Sequence, residues 1–499
     1  MQPNILFLQA DQLSASALSF YGNRVSKTPH LDRLASEGVV FESAYCNNPL
    51  CVPSRASMLS GRLGSTIDIF DNGSEFRASV PTFVHYLRSA GYQTCLSGKM
   101  HFVGPDQLHG YEERLTCDIY PSDFVWTEAW DKFGDKHALA LETFQHVGPC
   151  DVCRQLAYDD EVAFKAERKL YELAMGGDER PFFLTVSFSD PHEPYLARKE
   201  FWDLYDPEEI DLPRVPSIPE TEQDPHSRRF EGIYRFRDMD LTGQKLVDVR
   251  RAYYANVSYV DDKIGRLLEV LTRTGLAENT WIIFTADHGD MLGERGLWWK
   301  KHFYEDSSRV PLIVHAPGSF KAGRVEQNVS LVDLFPTLVE AAGLDPVTDL
   351  ASPVDGHSLM GLLAGETGDW PDTVYCETFE GGTPAPMFMV RKGRYKYISC
   401  PIDPPLLYDL EDDPLELENL AGNREYQGIE AEFEALVGAR WSAVELRQRI
   451  VASQRARDFL YATLTSGKRT AWDFEPEPDR FTLYTGELDS YYDWFGTRI

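Results

Sequence analysis

An α/β fold, a sheet covered by helices, is the class the sequence predicts, and two observations carry it. Short apolar runs bounded by turn residues recur along the chain, and amphipathic segments with helical spacing lie between them. The runs "NILFLQ", "YQTCLSG", "FFLTVSF", "WIIFTA" and "PLIVHA" read as buried strands, because a strand covered on both faces has no polar face to alternate with. Ala163, Ala166, Leu170 and Leu173 form one helical stripe; Val257, Val260, Ile264, Leu267 and Leu271 form another.

The 499 residues suffice for one large core with a smaller appendage. Near residue 371 the pattern changes. "TVYCETFE", "MFMVRKGRYKYIS" and "LLYDLEDDP" predict a small antiparallel sheet, followed by a long helix from about Glu425 to Arg457. The expected organisation is a catalytic α/β unit over 1–370, a sheet-and-helix subdomain over 371–459, and an aromatic-rich tail over 460–499 that docks on something.

Acidic residues number 79 against 49 basic ones, a formal net charge of −30, which disfavours nucleic acid and anionic membranes as partners. The stretch "MQPNILFLQADQ" has no basic n-region, and its apolar run is too short for a secretory signal or a membrane span, so a soluble cytoplasmic protein is expected. Eight scattered cysteines form no disulfide framework. Cys150 and Cys153 make a lone C-x-x-C, read as an ordinary loop ahead of a redox pair or half a zinc site.

Polar residues gather at the predicted C-terminal ends of the strands, where open α/β sheets place their ligands. They are Asp11; Lys99 and His101 in "SGKMH"; His192 in "SFSDPHEPY"; and Asp287 and His288 in "FTADHGD". Asp11, Asp287 and Gln12 offer oxygen to a hard cation such as Ca²⁺ or Mg²⁺, and His288 widens the choice toward Mn²⁺ or Zn²⁺. Arg55, Lys99, Lys300, His101 and His192 supply positive charge and protons for a tetrahedral oxyanion and for a leaving alkoxide, with His192 or Lys300 as the donor. In "CVPSR", Pro53 suits a first helical position, so Cys51 is expected just before a helix N-terminus, in a field that favours anions.

C-x-P-S-R followed by "ASMLSGR" resembles the signature of type I sulfatases, in which that cysteine is oxidised to formylglycine; "GKMH", "DPHEPY" and "ADHGDMLGERG" match further blocks of the family. The resemblance implies an alkaline-phosphatase-like sandwich, a large mixed sheet between helices with a smaller C-terminal α+β subdomain. It makes Cys51 the precursor of the nucleophile and, with Asp11, Gln12, Asp287 and His288, a ligand of one divalent metal, Ca²⁺ by preference with Mg²⁺ or Mn²⁺ as alternatives. It gives His101 a part in expelling sulfate, His192 and Lys300 the protonation of the leaving oxygen, and Asn72 in "FDNGSEF" a substrate contact. A formylglycine-generating enzyme is implied as maturation partner.

"SGKMHFVGPDQLHGYEERLTCDIYPSDF", "YDDEVAF", "FWDLYDPEE", "TEQDPHS" and "GERGLWWKKHFYE" are similar to choline sulfatases in particular. That likeness implies choline sulfate as substrate, with Trp126 stacking on the quaternary ammonium. It also implies that Asp489 reaches the site from a neighbouring subunit of a dimer or tetramer. Two positions depart from the pattern: His146 is followed by Val147 where an amide is expected, and Glu380 is displaced by one position from the ammonium-binding glutamate. The alternatives are a sulfatase for another small ester, a phosphonate monoester or phosphodiester hydrolase on the same scaffold, and a non-catalytic anion-binding protein.

Overall fold

The computed structural model describes residues 2–467 apart from 121–123, 125, 126, 128, 129, 131–142 and 383. In chain order the strands are β1 (Asn4–Ala10), β2 (Val39–Tyr45), β3 (Gln93–Gly98), β4 (Glu113–Arg114), β5 (Gly148–Cys150), β6 (Phe182–Ser187), β7 (Leu196–Arg198) and β8 (Thr280–Ala286). They continue with β9 (Arg309–Val310), β10 (Leu312–His315), β11 (Gly323–Ser330), β12 (Thr373–Thr378), β13 (Met387–Lys392), β14 (Tyr395–Cys400) and β15 (Asp403–Asp409).

Nine strands form one sheet in the order β11-β2-β10-β8-β1-β6-β3-β4, with β9 also paired to β2. The block β8-β1-β6-β3-β4 is parallel throughout, whereas β10 runs antiparallel to both β2 and β8. The sheet is therefore mixed. β6 and β8 are buried at every residue because helices cover both faces, which is why they read as unbroken apolar runs. The helix Gly243–Thr274 buries Val257, Val260, Ile264, Leu267 and Leu271; the helix Arg154–Met175 buries Ala163, Ala166 and Leu170 and leaves Leu173 half-buried.

A second, four-stranded antiparallel sheet runs β12-β13-β14-β15. Its core joins Phe379, Phe388, Val390, Tyr397 and Leu407 to Leu63 and Phe70 from the N-terminal part, so the two sheets share packing. Glu377 in β12 ties them further: it accepts hydrogen bonds from Ser65 N and Oγ, both at 2.6 Å, and from Trp441 Nε1 at 2.7 Å.

The expected helix from Glu425 to Arg457 is two helices, Gln427–Arg440 and Ala443–Leu464, broken at Trp441 and Ser442. Trp441 leaves the helical path to stack on Phe388 at 4.5 Å, and Ser442 caps the second helix by accepting from Glu445 N. That helix also runs past the expected start of the tail at residue 460. Cys150 and Cys153 are buried free thiols, and Cys153 occupies the position ahead of the helix Arg154–Met175. Among the described residues no helix is long and apolar enough to cross a membrane.

Candidate active site

Strands β8, β1, β6 and β3 lie side by side and parallel, so their C-terminal ends meet along one edge. Asp287 and His288 follow β8, Asp11 and Gln12 follow β1, His192 lies five residues past β6, and Lys99 follows β3. Gly98 makes the last step possible: its φ is +111°, and a Cβ there would lie 1.9 Å from Ser187 O.

The helix Cys51–Ser60 points its N-terminus at this edge, and all ten of its residues are buried. Cys51 is its first residue rather than the residue before it, with Pro53 inside the first turn, where no N–H partner is needed. Asn72 Oδ1 accepts from Val52 N at 3.0 Å, so the residue expected to touch substrate also satisfies the N–H next to Cys51.

Around Cys51 Sγ lie His288 Nε2 at 3.2 Å, Lys99 Nζ at 3.8 Å and Asp11 Oδ1 at 4.0 Å. Arg55, one turn on and 1% exposed, donates from Nε to Asp287 Oδ2 at 2.8 Å and from Nη2 to Asp11 Oδ2 at 3.0 Å. Its Nη1 reaches Lys99 O at 2.7 Å and Ser187 Oγ at 2.9 Å. Lys99 Nζ pairs with Asp11 Oδ2 and lies 3.9 Å from the Tyr120 ring centroid.

Burial opposes ionisation of Asp11, but the Lys99 ammonium and the Arg55 guanidinium hold its carboxyl well below the usual range. Burial, reinforced by Asp11, pushes the Cys51 thiol up to about 12, so the encoded side chain is a neutral thiol and not a thiolate nucleophile. Burial brings His288 down to about 4 and His101 to about 3, and with Lys300 it holds His192 well below its ordinary value. The three imidazoles are therefore neutral. His288 Nδ1 donates to Gly289 O at 3.1 Å, which turns the lone pair of Nε2 toward Cys51 and the carboxylates.

Asp11, Cys51, Asp287 and His288 bring one donor atom each within 4.8 Å of one another. Two carboxylates and a neutral imidazole, all buried, fit one divalent cation. Gln12, with φ +61°, reaches this group by donating its backbone N–H to Asp287 Oδ1 at 3.0 Å. Its side-chain oxygen takes Lys300 Nζ, while Nε2 donates to Glu193 and Asp290, each at 2.7 Å.

His192 Nδ1 donates to Glu193 O at 2.8 Å, which leaves Nε2 to accept from Lys300 Nζ at 2.6 Å. Burial disfavours charge on Lys300, but Glu193 raises its pKa overall, so the pair holds its proton on the lysine. His101, buried with φ +57°, is fixed by its backbone N–H on Asp118 Oδ2 at 2.6 Å and lies 5.3 Å from the Tyr120 ring.

Among the expected substrate contacts, Glu380 lies two residues past the end of β12. Its carboxylate accepts from Lys301 Nζ at 2.6 Å and from Thr127 Oγ1 at 2.8 Å. His146 is exposed. Trp126 and Asp489 lie outside the described residues. The sequence reading missed Glu193, Asp290, Asp118 and Tyr120. The first two stand one and two residues from His192 and His288 in motifs already singled out, and Asp118 and Tyr120 lie in the long block that begins at "SGKMH", where the resemblance gave them no role.

The family described as "Sulfatase" matches residues 3–344, that of the N-sulphoglucosamine sulphohydrolase C-terminal region matches 293–440, and that of the choline sulfatase enzyme C terminal matches 448–485. The choline-sulfatase of Rhizobium meliloti (strain 1021) is 43% identical over 486 residues, covering 95% of this chain and 94% of that protein. The N-acetylglucosamine-6-O-sulfatase of Bacteroides thetaiotaomicron is 30% identical, with 87% and 86% covered. Among solved structures, the phosphonate monoester hydrolase of Agrobacterium radiobacter superposes with a TM-score of 0.70 at 24% identity, over 90% of this chain and 96% of that one. The corresponding enzyme of Silicibacter pomeroyi gives 0.71 at 24%, over 95% and 100%. These two structures share the fold, which is alkaline-phosphatase-like. With Cys51 seated between paired carboxylates and three cations, and with this coverage by close relatives, the chain belongs to the sulfatase family and is a sulfuric ester hydrolase.

Proposed function

We propose that the chain hydrolyses choline sulfate to choline and sulfate, using Cys51 matured to formylglycine and one divalent cation, Ca²⁺ by preference. The observation that carries the mechanism is the setting of Cys51. A thiol held neutral, at the first position of a buried helix, within 4.0 Å of a carboxylate, an ammonium and an imidazole, sits among partners suited to oxygen rather than to a thiolate. The 43% identical choline-sulfatase supports the substrate.

Once matured and hydrated, residue 51 supplies a geminal diol, one hydroxyl to attack sulfur and the other to expel sulfate. Asp11, Asp287, His288 and residue 51 would hold a cation that would supply charge stabilisation for the sulfuryl oxygens; Gln12, whose side-chain oxygen accepts from Lys300, is our further proposed ligand. Arg55 and Lys99 keep Asp11 ionised and in place. Lys300 carries the proton for the leaving alkoxide, and His192 orients it through Nε2. His101, buried beside the Tyr120 ring, is our proposed acceptor of the proton released when sulfate is expelled. Asn72 holds the helix N-terminus beside the substrate. Trp126, His146, Glu380 and Asp489 remain our proposed contacts for the alcohol. We further place the enzyme in the cytoplasm as a homo-oligomer, dimer or tetramer, matured by a formylglycine-generating enzyme.

The test is the mass of the tryptic peptide Leu34–Arg55 from the protein's own host after thiol alkylation, with Cys46 as internal control. An aldehyde or its hydrate at residue 51 supports the mechanism; full alkylation of both cysteines overturns it. One observation favours a second reading, a sulfate ester of a different small alcohol: both Glu380 oxygens are already taken, one by a cation. Choline sulfate and an uncharged alkyl sulfate of equal size, compared by kcat/KM, separate the two. Matched aryl sulfate and aryl phosphonate esters separate either from a phosphonate or phosphodiester hydrolase.

A further inference from the structure

Lys300 sits in a segment whose backbone does not hold itself. Trp299 has φ +65° and Lys301 φ +77°, a left-handed conformation that residues with a side chain keep only where their surroundings fix it. The N-terminal part of the protein supplies some of that fixing: Trp299 N donates to Asp290 Oδ1 at 2.9 Å, and Lys301 N donates to Pro49 O at 3.1 Å. Met291 N donates to Trp299 O at 2.6 Å, His226 Nε2 meets Lys301 O at 3.0 Å, and the second sheet adds a further hold.

Lys396, in β14, is fully buried, and its Nζ donates to Phe303 O at 2.8 Å, three residues from Lys300. The same ammonium pairs with Glu305 Oε1 at 2.6 Å and Glu416 Oε1 at 2.8 Å. Glu416 Oε2 accepts from Glu305 N at 2.9 Å, so the three side chains close on the backbone at both Phe303 and Glu305. A buried ammonium with two carboxylates is costly to desolvate and adds little to stability over an apolar replacement, so its position against the Lys300 segment calls for another role.

The geometry points to Lys396 as a positioning residue for the reaction: from the second sheet it holds the 303–305 backbone, and through it the Lys300 ammonium against His192 Nε2. This rests on the proposed role of Lys300 as proton donor to the leaving oxygen. The consequence concerns leaving groups. An alkoxide cannot depart without a proton, whereas a nitrophenolate can, so loss of position at Lys300 affects the first ester and spares the second.

The experiment uses the matured, metal-loaded enzyme with choline sulfate and 4-nitrophenyl sulfate as probes. Lys396→Met is combined with Glu416→Gln, so that the net buried charge is unchanged and Glu305 keeps Arg309 Nε at 3.6 Å, and Glu416→Gln alone is the control; thermal melting verifies that each variant is folded. Lys396→Met/Glu416→Gln is expected to lower kcat on choline sulfate by about 10- to 100-fold, a part of the roughly 10²- to 10⁴-fold that general-acid catalysis supplies, with the 4-nitrophenyl ester changed less than about threefold. Glu416→Gln alone is expected to stay within about threefold on both, and in a Lys300→Ala background the Lys396 change is expected to add nothing, because both act through one group. If Lys300→Ala itself depresses both esters equally, the proton-donor role fails. The positioning proposal is then judged by whether the Lys396 variant copies the Lys300→Ala pattern without adding to it. Losses that multiply between Lys396 and Lys300, or a folded Lys396→Met/Glu416→Gln variant with unchanged turnover of both esters, overturn it.

Discussion

Replacing Arg55 by Met should destabilise the protein by about 5 kcal/mol in the absence of divalent metal, most of it from carboxylates left without a buried partner. Arg55 is 1% exposed and contacts Asp287 at 2.8 Å and Asp11 at 3.0 Å. Removing one side of a buried ion pair costs about 3–5 kcal/mol, and a buried acceptor stripped of its donor about 1–3 kcal/mol. Both apply here, since Lys99 O also loses Arg55 Nη1; the loss is moderated because Asp11 keeps Lys99 and Asp287 keeps the N–H groups of Gln12 and His288. With an unfolding entropy of about 2.1 cal/mol/K per residue, 499 residues give about 1 kcal/mol/K, so Tm should fall by about 5 °C if the chain melts as one unit. The assay is scanning calorimetry in a chelator, repeated with excess Ca²⁺, which should restore more Tm to the variant than to the parent because a cation between Asp11 and Asp287 offsets the missing guanidinium. Arg55→Lys keeps the charge without the fork and should recover only part of the loss. A chelator-state shift below about 1 °C, or an Arg55→Lys protein that melts like the parent, would refute the reasoning.

Asp11→Asn or Asp287→Asn should weaken divalent cation binding by at least about 100-fold in calorimetric titration, since even the residues that support metal ligands contribute 10- to 100-fold. Gly98→Ala should fail to give folded protein in useful yield, because its Cβ would meet Ser187 O at 1.9 Å in a left-handed backbone; gel filtration of the soluble fraction checks it. Glu377 should impose a pH slope on stability. Burial pushes it up to about 7 from 4.5 in spite of three donors, so the folded protein keeps a proton that the unfolded chain has released. That contribution is full below pH 4.5 and is lost as pH rises through 7, about 3 kcal/mol in all. Glu377→Gln should therefore show a Tm less dependent on pH between 5 and 8 than the parent.

The five apolar runs read as strands all form strands, because β1, β3, β6, β8 and β10 are covered on both faces and need no polar alternation. Their direction was not legible: nothing in "PLIVHA" distinguishes the antiparallel β10 from its parallel neighbours. β11, "GRVEQNVS", escaped notice because it is an edge strand with exposed polar residues at its start. The reactive cluster was legible for a geometric reason, since parallel strands send the residues after them to one edge. What supports it was not. Lys396 stands in a run legible only as a strand and Glu305 and Glu416 carry no role in the sequence, and it is the structure that joins the three. Glu380 lies two positions beyond Thr378, where the strand has ended, so strand periodicity says nothing of where its side chain points.

The electrostatics around residue 51 bear on why a cysteine is encoded there at all. A thiolate nucleophile would need net positive surroundings, yet Asp11 and Asp287 work against Lys99 and Lys300, and burial adds to them until the thiol stays protonated up to about 12. The carboxylates are not incidental to the site, because Arg55 spans both and Lys99 pairs with Asp11. Such pairs suit a cation that would itself bind oxygen, and in an otherwise acidic protein Lys99 stands 3.8 Å from Cys51 Sγ. The same arrangement that makes the thiol inert is consistent with an oxygen nucleophile at that position. Cys51→Ser is therefore expected to fold and bind metal like the parent but to turn over no alkyl sulfate, since a single hydroxyl can attack but leaves no second one to expel sulfate. Accumulation of a stoichiometric sulfate ester on the introduced hydroxyl, seen as added mass after incubation with substrate, would be the direct sign; multiple turnover by Cys51→Ser would contradict it.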